Sequence, residues 1–180
     1  MSTALATALG PDAARLPPTL RRAHATPGRH RFTGLAQVER RKGPLPWLLC
    51  ALLRLPEPGR DVPVTLVFDN GAGSDHWDRR FARRRYHSRF KAGDGRDAGL
   101  LVEHMGPLRF RFRPRLDGDG MLHLTLESMS VLGLPLPRPL VPHCPAREWQ
   151  DHEGRFRFDI PVTLPGLGFV IRYGGVLEPV

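Results

Sequence analysis

The sequence predicts a mainly β (α+β) fold: an antiparallel, curved sheet or partial β-barrel of about eight strands, with one or two short helices. Three observations lead to this prediction. Short runs alternate apolar and polar residues with a period of two, as strands with one buried face do. Glycine, proline, aspartate and asparagine separate these runs at hairpin spacing. No helical pattern lies between the later runs, so neighbouring strands are expected to pair antiparallel.

The alternation is clearest where Leu108, Phe110 and Phe112 alternate with arginines, ahead of a turn at residues 117–120. A break in parity after Phe81 indicates a hairpin turn near residues 82–84, because a slip of one residue moves every side chain to the other face. A sheet with one solvent-exposed face buries its other face by curling into a barrel or by packing against a helix. The predicted strands are residues 32–39, 62–68, 77–81, 86–90, 108–113, 122–126, 156–164 and 169–173.

Two helices are predicted. The first begins at Pro17 or Pro18 and ends near His24, with proline in its opening turn. The second covers residues 45–55 and is rich in leucine and alanine, with Arg54 as its only charge. A helix that is apolar all round is normally buried, so we expect this one to fill the apolar side of the sheet.

The chain length of 180 residues indicates one domain, with a flexible N-terminus over residues 1–15 and a single β-rich domain over residues 16–180. Cys50 and Cys144 lie in apolar surroundings and are expected to be buried, reduced thiols. The first residues lack the pattern of a secretory signal, and no window of about 18 apolar residues is present. We therefore expect a cytoplasmic protein.

Two segments are strongly apolar: helix 45–55 and the proline-rich stretch 131–142. The second is expected to be an extended loop and not a strand paired in the sheet. The favoured interpretation is that both cap the core. Two alternatives stay open: the segments close the mouth of an apolar cavity, or they contact a membrane surface with the help of Arg40, Arg41 and Lys42.

Positive charge dominates the composition. The chain has 27 basic and 18 acidic residues and a net charge of +9, and all the basic residues except Lys42 and Lys91 are arginine. This excess fits a GC-rich genome, which favours arginine codons. It also fits a site that binds an anion through planar, bidentate guanidinium groups, which lysine does less well.

The densest arginine cluster lies across the predicted hairpin of residues 77–90. Guanidinium groups here would bind a phosphate or carboxylate. The alternative is a solvated hairpin, partly neutralised by Asp75 and Asp78. The residues of this hairpin that we predict to bind ligand are Arg79, Arg80, Arg83, Arg85, Trp77 and Tyr86.

Five polar residues stand beside apolar strand positions and are candidates for acid–base chemistry: Asp78, Glu103, His104, Glu127 and Glu148. Glu127 and Glu148 are the strongest of these, because both border the proline-rich loop, and both are included in the predicted site. Ion pairing with the abundant arginines is the alternative role. The order His143, Cys144, Glu148, His152 is a poor metal-binding pattern, and we expect no metal and no cofactor.

Nucleic-acid binding is suggested by the basic charge and by the arginine–aromatic alternation of residues 109–113. Strand geometry argues against it. Side chains alternate between faces, so Phe110 and Phe112 point away from the arginines, whereas base stacking needs aromatic rings on the charged surface. We expect no specific nucleic-acid partner.

Several stretches together resemble one bacterial family. They are ERRKGPLPWLLCALLRLPEPGRDVPVTL, HWDRRFARRRYHSRF, LESMSVLGLPLPRPLVP and GRFRFDIPVTLPGLGFVIRYGGVLEP, and they are similar to the family called domain of unknown function 4166 over about residues 16–179. The resemblance implies that a dehydrogenase-like or reductase-like protein is a partner, because members occur alone or fused to such nucleotide-binding domains. It implies no activity and no catalytic residues, and this sequence has no GxGxxG-opened βαβ unit.

The function expected from these observations is that of a non-catalytic module that binds a small apolar or amphipathic ligand with an anionic head. The alternatives are an enzyme that acts on such a ligand through a buried carboxylate, and an accessory domain of a reductase. The sequence does not decide whether the chain is an enzyme.

Overall fold

The computed structural model describes residues 2–71 and 73–180. Within them lie three α-helices, α1 (Ala4–Leu9), α2 (Pro18–His24) and α3 (Pro44–Leu52), and 3-10 helices at Gly10–Arg15, Gly95–Asp97 and Arg138–Leu140. The strands are β1 (Gly28–Arg40), β2 (Gly59–Asn70), β3 (Asp75–Phe81), β4 (Arg84–Ala92), β5 (Leu101–Met105), β6 (Leu108–Leu116), β7 (Leu122–Val131), β8 (Leu134–Pro135), β9 (Pro145–Gln150), β10 (Phe156–Leu164) and β11 (Gly168–Pro179).

Ten of these strands form a closed antiparallel β-barrel. Their order is β6-β5-β4-β3-β2-β1-β11-β10-β9-β7, and a further pairing of β6 with β7 closes the ring. The short β8 lies beside β7. The mainly β, antiparallel prediction is confirmed, but the sheet is a full barrel rather than a partial one, and it has ten strands rather than about eight.

The two barrel strands that were not predicted separately are β5 and β9. Each has a glutamate facing inward, Glu103 in β5 and Glu148 in β9, where the alternation calls for an apolar residue. Burying a charged side chain costs free energy unless the charge has a partner. A glutamate at an inward position therefore interrupts the apolar–polar alternation from which strands are predicted. Here each glutamate has a partner, from a different part of the chain.

Close approach of the first and last strands completes the barrel wall. β1 pairs with β11 from Phe32 opposite Pro179 to Arg40 opposite Ile171. A Cβ at Gly34 would meet the backbone oxygen of Val176. Glycine at this position is therefore required for the two backbones to lie against each other.

The antiparallel topology gives the barrel two distinct ends. One end, here called the floor, carries the connections before β1, β2–β3, β4–β5, β6–β7 and β9–β10; the other, the mouth, carries β1–β2, β3–β4, β5–β6, β7–β9 and β10–β11. α3 and residues 132–144 are thus both at the mouth. The predicted hairpin turn is confirmed, with residues 82–83 between β3 and β4.

The N-terminal helices cover the floor. Leu5 and Leu20 are fully buried, and Asp75 accepts a hydrogen bond from the backbone N–H of Ala4 at 2.9 Å. The side chain of Asn70 donates to the carbonyl of Ala23 at 2.8 Å. The prediction of α2 is confirmed. Residues 1–15, expected as a flexible terminus, instead contain α1 and a 3-10 helix, because their apolar side chains complete the core at this end.

α3 differs from its prediction. It was expected to be a buried filler, but only Pro46 and Cys50 among its residues are buried. Inward aromatic side chains of the strands supply much of the barrel core, and the helix lies at the mouth, in the β1–β2 connection. Residues 131–142 form mainly irregular structure, as predicted, apart from Val131 at the end of β7, the two-residue β8 and one 3-10 turn. Among the residues that the structure describes, no helix has the length and apolar character needed to cross a membrane.

Candidate functional site

The barrel encloses a cavity of about 180 Å³. Its wall is mostly apolar and aromatic, with contributions from Phe68, Phe90, Phe112 and Phe158 among others. Leu53, which follows α3, and Pro142 line it at the mouth. Phe110 and Phe112 also line the cavity, which confirms that these rings face inward and away from their neighbouring arginines. A cavity of this kind, apolar with a few polar groups, is the usual form of a small-molecule site.

Among the residues that the structure describes, Arg79 is the only positively charged side chain in the cavity wall. It lies on the inward face of β3 between Trp77 and Phe81, as the period of two dictates. Its guanidinium carbon is 5.2 Å from the ring centres of Trp77 and Tyr86 and 5.5 Å from that of Phe90. Cation–π attraction to three rings partly replaces the hydration that the buried charge has lost.

The hydrogen bonds of Arg79 fix its orientation. Nη1 donates to Oγ of Ser88 at 2.9 Å, and Nη2 donates to Oε1 of Glu103 at 3.3 Å. Burial acts to lower the pKa of Arg79, but charge interactions with Glu103 first, and then with Tyr86, Tyr173 and Glu148, together outweigh it and leave that pKa raised. The arginine therefore remains a fixed positive charge within a mainly apolar wall.

Glu148 is the second carboxylate in the wall. It is held from the floor by His24, whose Nε2 lies 2.5 Å from Oε2 of Glu148. His24 is fully buried, and its ring packs against Phe68 and Trp77 with centroid distances of 4.9 and 4.8 Å. The end of α2 thus positions a residue on β9 that is 124 positions away in the sequence.

The floor beneath the cavity has several buried polar atoms without a hydrogen-bond partner among the described residues. They are Nδ1 of His24, Oδ1 of Asn70, Oδ1 of Asp75 and Nε1 of Trp77. Burial also raises the pKa of Asp75, although backbone N–H groups oppose that shift. The residues around His24 thus form a polar layer below an apolar cavity.

Two tyrosines and one cysteine complete the polar part of the wall. The hydroxyl of Tyr86 donates to that of Tyr173 at 3.4 Å, and burial raises the pKa of both phenols. Burial, assisted by the negative charge of Glu103, raises the pKa of the Cys144 thiol to about 12. All three groups are therefore uncharged at neutral pH.

The structure separates the predicted site residues into two groups. Trp77, Arg79, Tyr86 and Glu148 line the cavity. The others lie outside it, exposed to solvent. Arg85 pairs with Asp78 at 2.5 Å, and Glu127 pairs with Arg113 on the outer face. The residues placed outside the cavity are Arg80, Arg83, Arg85 and Glu127.

Sequence reasoning did not select His24, Ser88, Tyr173 or Cys144 for the site, and it ranked Glu103 below Glu127. Parity along β4 would have placed Ser88 with Tyr86 on the inward face. His24 has no comparable signal, because its partner Glu148 is distant in sequence. Across residues 2–71 and 73–180, no group of three histidine, cysteine, aspartate or glutamate side chains is arranged to hold a metal ion.

These features define a closed antiparallel β-barrel protein with a mainly apolar internal cavity that contains one arginine and two glutamates. Residues 16–177 match the family described as domain of unknown function (DUF4166), and the chain belongs to that family. No curated protein matches the chain significantly.

Proposed function

We propose that this protein binds a small amphipathic ligand inside the barrel, with the anionic head of the ligand against Arg79 and its apolar part among the aromatic side chains. The observation that carries the proposal is the placement of one buried guanidinium in an otherwise largely apolar cavity. Proteins rarely bury an arginine away from water without a structural or functional use.

The chemistry of Arg79 supports an anionic head. A guanidinium has five N–H donors, and two of them are engaged by Ser88 and Glu103. The other three have no hydrogen-bond partner among the described residues. Charge-assisted bonds to a carboxylate or phosphate are the strongest contacts that such donors make.

The cavity volume limits the ligand. At about 180 Å³ it is close to the roughly 150 Å³ cavity that holds one benzene molecule in an engineered protein. An apolar group about the size of a single ring or a short alkyl chain therefore fits inside. A longer tail would have to extend past Leu53 and Pro142 at the mouth.

Calorimetric titration with phenylacetate and 2-phenylethanol tests the proposal, because these ligands share a ring and differ in the charge of the head. We expect the carboxylate to bind roughly 10- to 100-fold more tightly, from one charged hydrogen bond of about 1.5–3 kcal/mol. The preference should persist when salt is raised from 0.1 to 0.5 M, since a buried contact is screened little.

A double variant, Arg79→Met with Glu103→Met, removes the charged pair together and avoids leaving one charge unpaired. We expect it to bind both probes equally. Arg85→Met is the matched control, since Arg85 belongs to the same hairpin but points outward, and it should keep the preference. Equal affinity of the wild-type protein for both probes, or no binding of either, would contradict the proposal.

An enzyme that uses Glu148 is the second candidate. The observation that favours it is the contact between His24 and a glutamate that faces the cavity, since a positioned carboxylate of this kind is a suitable general base. Incorporation of solvent deuterium into a bound carbonyl compound, present in the wild-type protein and lost in Glu148→Gln, would support it. Unchanged ligand binding in that variant would separate catalysis from binding.

A further inference from the structure

We propose that the mouth of the barrel docks on an anionic lipid surface. The proposal goes beyond ligand binding in the cavity, and it rests on the distribution of exposed apolar side chains. Ten large hydrophobic residues are exposed in the described chain, and eight of them lie at the mouth. Those eight are Leu45, Trp47, Leu48, Leu52, Leu132, Leu134, Leu140 and Phe169.

The exposure of these side chains is large for apolar residues. Leu132 and Leu134 are 79% and 73% exposed, and on α3 Leu52 is 71% and Trp47 is 55% exposed. The two exposed hydrophobic residues elsewhere are Leu35 on the outer wall and Val180 at the C-terminus. Single exposed apolar residues are ordinary, but a cluster at one end of a molecule marks a surface that contacts something apolar.

Charge at the mouth agrees with an anionic partner. The mouth connections carry the basic residues Arg41, Lys42, Arg54, Arg83 and Arg138 and a single acidic residue, Glu57. Glu57 is itself paired with Arg84 at 2.7 Å. At the floor, the corresponding segments carry seven acidic and five arginine residues. The excess positive charge and the exposed apolar residues thus coincide at one end.

A lipid surface accounts for this combination better than a second copy of the chain. Two mouths placed face to face would bring the same uncompensated positive charges together, which disfavours association. Proteins that lie on a membrane usually insert leucine and tryptophan side chains into the boundary of the bilayer. Their lysine and arginine side chains then lie beside the anionic head groups. The mouth is also where Leu53 and Pro142 border the cavity, so docking places the cavity next to the lipid.

Co-sedimentation with vesicles tests the proposal. We expect binding to vesicles of phosphatidylcholine with 30% phosphatidylglycerol, and at least about tenfold weaker binding to pure phosphatidylcholine. Raising NaCl to 0.5 M should weaken the binding, because exposed charges are screened. The fluorescence of Trp47 should shift to shorter wavelength on binding, and Trp47→Ser should abolish that shift.

Matched variants separate the mouth from the rest of the surface. Leu48→Ser with Trp47→Ser, and separately Arg41→Glu with Lys42→Glu, should each lower vesicle binding about tenfold or more. The control for the apolar pair is Leu35→Ser, because Leu35 is about as exposed as Trp47 and Leu48 but lies on the barrel wall. The control for the charged pair is Arg22→Glu on α2 at the floor. Both controls should bind as the wild type does, and melting curves should confirm that every variant is folded.

Three results would overturn the proposal: equal binding to neutral and anionic vesicles, absence of binding to both, or loss of binding in the controls as large as in the mouth variants. If the protein dimerises and Leu48→Ser abolishes the dimer, the mouth binds a second copy of the chain and not a lipid surface. The double variant Arg79→Met with Glu103→Met should still bind vesicles. Docking can therefore fail or succeed independently of ligand binding in the cavity.

Discussion

Replacement of Arg79 by methionine is expected to lower the free energy of unfolding by about 3–5 kcal/mol, because it leaves the Glu103 carboxylate buried without its charged partner. The side chains of Arg79 and Glu103 are only 13% and 11% exposed, so water cannot replace the lost contact. Glu103→Met should be destabilising for the reciprocal reason. Against a total stability of about 5–15 kcal/mol, either change is large. Urea denaturation followed by circular dichroism measures both.

The double variant should be more stable than either single variant, because removing the two charges together leaves neither unpaired. Arg85→Met is the control: Arg85 and Asp78 form an exposed pair, with Arg85 69% exposed, and such pairs contribute about 1 kcal/mol or less. Strictly additive effects of the two buried substitutions would show that Arg79 and Glu103 act independently, contrary to the structure.

Alkylation of Cys144 by iodoacetamide is expected to be about a thousandfold slower in the folded protein than in the urea-unfolded chain at pH 8. The reactive species is the thiolate. With a pKa of about 12 in the folded protein, against 9.0 for an ordinary cysteine, the thiolate fraction at pH 8 is ~1 in 10,000 instead of ~1 in 10. Mass spectrometry of the peptide that contains Cys144 gives the two rates.

The pH dependence of the alkylation rate tests whether the raised pKa of Cys144 is the cause of its slow reaction. Because the pKa of Cys144 is raised, its thiolate fraction in the folded protein should increase tenfold for each pH unit between 7 and 10, while that of the unfolded chain levels off above pH 9. Cys50, whose pKa is also raised by burial, is followed separately by its own peptide. Equal rates for Cys144 in the folded and unfolded proteins would contradict its placement in the cavity wall.

The position of Arg79 was predictable from the sequence only in part. Its place between Trp77 and Phe81 on an alternating strand already implied an inward side chain. The surrounding arginines favoured an exposed hairpin instead, and four of the eight predicted site residues, Arg80, Arg83, Arg85 and Glu127, lie on the outer surface. Local alternation places Arg79 on the same face as Trp77 and Phe81, but it gives no reason to bury a charge there.

Residues close together in the chain were enough to predict the hairpin of β3 and β4, the inward aromatic side chains of β6, and the apolar character of α3 and residues 131–142. Three other contacts could be seen only in the folded chain: the pairing of β6 with β7 that closes the ring, the pairing of Arg79 with Glu103, and the contact of His24 with Glu148. These contacts join distant segments, and an inward glutamate is tolerated only when its partner arrives from elsewhere in the fold. Periodicity records which face a residue occupies, whereas the partner that makes a buried charge stable is set by how the barrel closes.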